Sequence, residues 1–175
     1  MKFSELQHRL ENFISLVRRN HALEHATLHV IEKKHPQLRL AGHSDAEGLH
    51  IIGDISTQDL YAALEEALQR LHAGEHHLAV HPNCGTNLVI SGGLAALAGA
   101  LAIRRAKAKN LWEWLDQWAL VVLLGVIALS VAQPLGLMAQ ERVTTDSELQ
   151  GLKVSSIVSR DHPLFGKIHR VKTRG

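Results

Sequence analysis

The sequence predicts an α+β fold in which a small domain is tethered to a membrane by a hairpin of two helices. Three observations carry this expectation. Residues 88–103 and 118–139 contain no charged side chain. Apolar residues upstream recur at helical spacing, whereas shorter runs elsewhere are bounded by turn residues. The 13 histidines are also unevenly placed, ten of them lying between residues 21 and 81.

The averages hide this segregation. Of 175 residues, 46% are hydrophobic and 21% charged, with a formal net charge of +2. So small a net charge excludes a strongly basic nucleic-acid binder, and no nucleic-acid partner is expected. The single cysteine, Cys84, excludes a disulfide framework and any metal site built from four thiolates.

Taken in order, Ser4 with Gln7 three residues later resembles a capping box. Phe3, Leu6, Leu10, Phe13, Ile14 and Val17 then follow helical spacing, and the pattern must stop near Pro36. One helix of about 30 residues, or two consecutive helices broken near Asn20, accounts for it. Residues 38–40 and 49–52 read as strands around a turn at 43–48. Ser56 and Asp59 start an amphipathic helix through Leu60, Leu64, Ala67, Leu68 and Leu71, ending at Gly74. LKVSSIVSR and KIHRVKTR, on either side of HPLFG, read as a C-terminal β-hairpin.

The first charge-free stretch spans roughly 24 Å as a helix, and its uncharged flanks can extend it towards the ~30 Å hydrocarbon core. The second is long enough alone, with Pro134 and Gly136 near its end. Between them lie Arg104, Arg105, Lys107 and Lys109, with Trp112, Trp114 and Trp118 placed as interfacial aromatics. Gly92, Ala96 and Ala100 form one small-residue stripe, and Ala95 with Gly99 another. Such stripes let helices approach closely, here the second span, a second copy of the chain, or a partner in a membrane complex. The expected organisation is an N-terminal α+β region at 1–87, a transmembrane hairpin at 88–139, and a C-terminal hairpin at 140–175 that packs on the N-terminal region. The expected location is a bacterial inner membrane. The basic loop favours itself as the cytoplasmic side, but residues 1–20 lack the apolar core of a signal peptide. The reading therefore places both termini in the cytoplasm.

The sharpest chemical signal is His21-Ala22-Leu23-Glu24-His25, an HxxEH sequence. On a helix, His21 and His25 share a face and can reach one metal ion. Glu24 then lies beside a metal-bound water, whose pKa the metal lowers towards about 7. His21, Glu24 and Leu28 continue the apolar stripe, so the polar groups need partners. His29, one turn on, can complete a three-histidine face. The satisfied alternative is a pair of core histidines, with Glu24 accepting from His21 or Arg18. A second cluster runs from Glu75 through His76, His77, His81, Asn83 and Cys84 to Asn87. In extended backbone, His77, Ala79 and His81 point one way. Glu75 and His81 are the preferred candidates for a further ligand, ahead of Cys84, while Asn83, Thr86 and Asn87 are candidates to cap the first span.

HxxEH is the reverse of HExxH and resembles the motif of the inverzincin zinc metallopeptidases. That resemblance implies zinc held by His21 and His25, Glu24 as catalytic base, and a downstream glutamate ligand. Residues 95–105, at the corresponding place, contain no glutamate. A longer resemblance rests on RNHALEHATLHV, on GDISTQDLYAALEEALQRLHAGEHHLAVHPNCGTN, on the two spans and on a VTTD tail. Together these resemble a family of small two-span bacterial membrane proteins, a domain of unknown function.

Two functional expectations follow. One is a membrane-anchored metal-binding protein acting as a zinc-dependent hydrolase or peptidase, with His21, His25, Glu75 and His81 as the candidate metal ligands and Glu24 as the base. The other is a non-enzymatic assembly factor or small subunit of a membrane complex, in which the histidines stabilise the fold.

Overall fold

A computed structural model describes residues 3–104 and 110–175. Arg105, Lys107 and Lys109 of the basic loop lie outside the described residues. The chain divides into two compact units, one formed by residues 1–81 with 141–175 and the other by 82–140.

The first unit is α+β. Helix α1 runs unbroken over Phe3–Lys34. Asn20 does not interrupt it, because the side chain is used elsewhere. Its amide donates to the Asp45 carbonyl at 2.8 Å, and its oxygen accepts from the Thr173 hydroxyl at 2.7 Å. Those bonds satisfy a fully buried polar group and tie the helix to two strands. Ser4 lies inside α1 rather than before it, and Gln7 donates to Glu11 instead of closing a capping box.

Strands β1 (Ala41–Asp45) and β2 (Gly48–Gly53) form a hairpin with a two-residue turn. The first strand therefore starts later than 38–40 and takes in the polar residues His43, Ser44 and Asp45. It is an edge strand with one face open, where polar side chains remain solvated. Helix α2 (Thr57–His72) starts where expected, Ser56 accepting from the Asp59 amide at 3.0 Å. Strands β3 (Lys153–His162) and β4 (Gly166–Arg174) pair around the expected turn, with one irregularity between Val154 and Ser156.

All neighbours in the sheet are antiparallel, in the order β1-β2-β4-β3. The C-terminal hairpin thus completes a sheet begun more than a hundred residues earlier. Leu49 pairs with Val171 and Ile51 with His169, and all four side chains are buried. Leu49, Ile51 and Val171 meet Leu23, Ala26, Val30 and Ile31 of α1 and Leu60, Leu64 and Leu71 of α2 in one core. The opposite face carries His43, His50 and Arg170, with Arg170 held bidentately by Asp45 at 2.9 Å.

Residues 76–79 form a short 3-10 turn, not the extended backbone expected there. The chain leaves α2 through Gly74 at positive φ, and the Glu75 amide bonds back to the Arg70 carbonyl. This compact exit removes the alternation of His77, Ala79 and His81. His77 is exposed, while Ala79 and His81 are buried.

In the second unit, α3 (Gly85–Arg104) packs along α4 (Leu111–Ala139). A short π-helical turn at Gln140–Thr144 follows α4. Both helices are longer than the charge-free stretches alone. Both are long and apolar enough to cross a membrane, yet only 11% of each apolar window is buried. A core helix of a soluble protein would hide most of that surface. Ala95, Gly99 and Ala102 lie towards α4, whereas Gly92, Ala96 and Ala100 face outward. Asn87, expected as a cap, serves a different purpose. It donates to the Pro82 carbonyl at 2.7 Å and accepts from the fully buried Gln140 at 2.9 Å. Gly136 lies so close to Asn87 that a Cβ there would collide with it. The residue preceding α3 is Cys84, whose sulfur accepts from the Thr86 amide at 3.4 Å.

Candidate metal centre

The buried half of α1 carries histidines at 21, 25 and 29, one per turn on one face. Each ring is fixed by a main-chain carbonyl. His21 Nδ1 lies 2.9 Å from the Thr144 oxygen, and His25 Nδ1 lies 2.7 Å from that of Ala79. His29 Nε2 lies 2.8 Å from the Val80 oxygen. A carbonyl oxygen only accepts, so in each case the named nitrogen carries the proton. The lone pair of the neutral ring then sits on Nε2 of His21 and His25, and on Nδ1 of His29. Metal-binding histidines are commonly oriented in this way, because the outer hydrogen bond sets the tautomer and ring direction.

The rings form a continuous series. His21 and His25 centroids are 4.3 Å apart, His25 and His81 5.8 Å, and His29 and His81 4.6 Å. His81 reaches α1 because the 3-10 turn folds residues 79–81 back against the helix, where two successive carbonyls receive His25 and His29. Its Nε2 lies 3.2 and 3.3 Å from the two carboxylate oxygens of Glu32. Burial pushes the His81 imidazole below the ordinary histidine range, and the Glu32 carboxylate partly opposes that shift.

His29, Glu32 and His81 each present a ligand atom within 4.8 Å of the others. A four-coordinate metal with bonds of about 2.0–2.2 Å sets its ligand atoms roughly 3.3 Å apart, so the three side chains would draw together to share one ion. His81 is nearly fully buried, whereas Glu32 is half-exposed, so one side of the trio faces solvent. Two histidines and a carboxylate are competent ligands for a metal ion.

The predicted site residues have different surroundings. His21 and His25 lie together, as helical spacing requires. Glu24 is buried at the point where α1 crosses Gly42 of β1, and any side chain at that glycine would overlap its carboxylate. Glu75 is engaged by Arg70 through two guanidinium nitrogens, which hold its carboxyl below the usual range. His81 stands with His29 and Glu32. Glu32 was not anticipated, although its sequence signal was available. It lies three residues after His29 and so shares a helix face with it.

A family profile described as "Domain of unknown function (DUF6391)" matches residues 16–157. An uncharacterised protein of Picosynechococcus sp. is 34% identical over 139 residues, which cover 74% of this chain and 65% of the relative. The matched part therefore spans less than two thirds of that relative's length. No solved structure matches the chain. With most of its length matched by that profile, the chain belongs to the DUF6391 family of unknown function.

Proposed function

We propose that this protein is a membrane-anchored metal-binding protein whose soluble unit holds zinc at the histidine face of α1. The observation that carries this reading is the convergence of His29, Glu32 and His81 within 4.8 Å, with His29 oriented by a carbonyl. In the apo form the His81 Nε2 proton bridges to Glu32. His81 Nε2, the Glu32 carboxylate and His29 would hold the metal ion, with loss of that proton. The anchor is the α3–α4 hairpin, supported by its outward apolar surface and by the exposed Trp112, Trp114 and Trp118 at the start of α4. The proposed location is a bacterial inner membrane with both termini on the cytoplasmic side.

A second reading, hydrolysis, is favoured by the HxxEH pair. His21 and His25 present carbonyl-oriented rings on one face. In that reading they hold zinc and Glu24 takes the proton from the attacking water. With Glu75 or His81 as the further ligand, that set closes only when Glu75 leaves Arg70 or His81 leaves Glu32. The non-enzymatic alternative is an assembly factor or small subunit of a membrane complex, in which the histidines stabilise the fold. A partner, or a second copy, then meets the outward Gly92, Ala96 and Ala100 face.

Zinc titration of the purified full-length protein tests the first reading. Wild type should bind zinc, and Glu32→Gln should weaken binding at least about tenfold, with helix content unchanged. Unchanged affinity in Glu32→Gln would rule out this site. Peptidase activity lost in Glu24→Gln with zinc retained would establish the hydrolytic reading.

A further inference from the structure

We propose that the first three turns of α1 form a self-association surface that pairs two copies of this chain side by side on the membrane. The pairing rests on the membrane-anchor reading but not on the metal reading. Residues 3–14 are exposed throughout, whereas residues 15–18 are partly buried and Arg19 and Asn20 are buried. Arg18 and Arg19 mark the point of engagement, donating to the carbonyls of Thr145 and Leu149. Beyond that point Phe3, Leu6, Leu10, Phe13 and Ile14 are 47–85% exposed.

Their spacing identifies the occupant. Phe3, Leu6, Leu10, Phe13 and Val17 alternate three and four residues apart, the narrow seam of a coiled coil. Helices that lie on lipid surfaces have a polar face rich in Lys and Arg. Here Arg18 and Arg19 are held by carbonyls, which leaves Lys2 and Arg9 against Glu5 and Glu11, a balanced set. The polar flank is internally satisfied, by the Glu5–Arg9 ion pair at 3.5 Å and the Gln7–Glu11 hydrogen bond at 3.1 Å. These local pairs support the helix where no tertiary packing does.

The area fits a dimer. The exposed seam amounts to about 500 Å² per copy, so two copies bury at most about 1,000 Å², the lower bound of a specific interface. A seam this short is marginal between free helices. Confinement of both copies to one bilayer raises their effective concentration and makes it sufficient.

Cysteine cross-linking in native membrane vesicles tests this directly. Leu10 is the centre of the seam, so it meets its own counterpart whether the helices run parallel or antiparallel. Under mild oxidation, Leu10→Cys should form a cross-linked dimer as the main species. His8→Cys, on the opposite face, should stay at the wild-type background, which includes Cys84. Adding Leu6→Asp to Leu10→Cys should lower cross-linking at least tenfold. Equal cross-linking at positions 8 and 10, none at position 10, or no loss with Leu6→Asp would each overturn the proposal. A fluorophore on Leu10→Cys that is quenched by brominated lipids would overturn it in favour of a lipid-facing helix.

Discussion

Helix α1 has two halves that follow the same apolar spacing but lie in opposite environments. From Arg19 to Ile31 it is packed against the sheet and α2, and it carries Asn20, Glu24 and His25 as buried polar groups. From Phe3 to Ile14 a cleaner apolar stripe is exposed among the described residues. The half that looks more like a core helix is thus the exposed one. Periodicity reports which side chains share a face, and neighbouring elements decide whether that face is covered. The buried half is covered because the sheet spans both ends of the chain. Asn20, His21, His25 and His29 are tolerated there because the carbonyls of residues 45, 144, 79 and 80, in that order, receive their side-chain N–H groups.

The largest expected effect separates the halves by truncation. Leu23→Ala should cost about 2–5 kcal/mol, as for other large-to-small changes in a packed core. Thermal or denaturant unfolding of the solubilised protein measures it. Gly42→Ala probes why Glu24 can be buried. The added methyl occupies the space of the carboxylate, and the resulting overpacking should cost about 1–3 kcal/mol. If Gly42→Ala left stability unchanged, the close crossing of α1 over β1 would be wrong.

A third prediction concerns pH. His169 is fully buried on the helix-covered face of the sheet, near the Thr57 hydroxyl, and burial depresses its pKa. The unfolded chain therefore takes up the proton more readily than the folded one. Its contribution to stability is complete above an unfolded pKa of about 6.5 and is lost as pH falls from there through the lower folded value. His169→Phe should flatten the decline in melting temperature below that pH, and an unchanged slope would contradict the assignment. The smallest effect is expected for Leu10→Ala, within about 0.5 kcal/mol, because that side chain is exposed and outside the core.

Much of this fold was legible in the sequence. The charge-free stretches marked α3 and α4, Ser56 and Asp59 marked the start of α2, and HPLFG marked the turn between β3 and β4. The first strand was misplaced because its residues are polar, and only their position at a sheet edge makes them strand-competent. The site was half legible. Local spacing joined His21 to His25, and could equally have joined His29 to Glu32. Placing His81 with His29 required knowing that residues 76–79 coil instead of extending, a consequence of the exit through Gly74. Nothing in the sequence indicated that Glu75 would be taken by Arg70, five residues away across the end of α2.

The metal content of the detergent-purified full chain, after zinc loading and removal of free ion, tests the central claim most directly. The histidine face should retain zinc in near-stoichiometric amount, and a Glu32→Gln, His81→Ala double variant with wild-type helix content should lose it. A wild-type protein with no zinc above the buffer blank, or a double variant that retains it in full, would contradict the account.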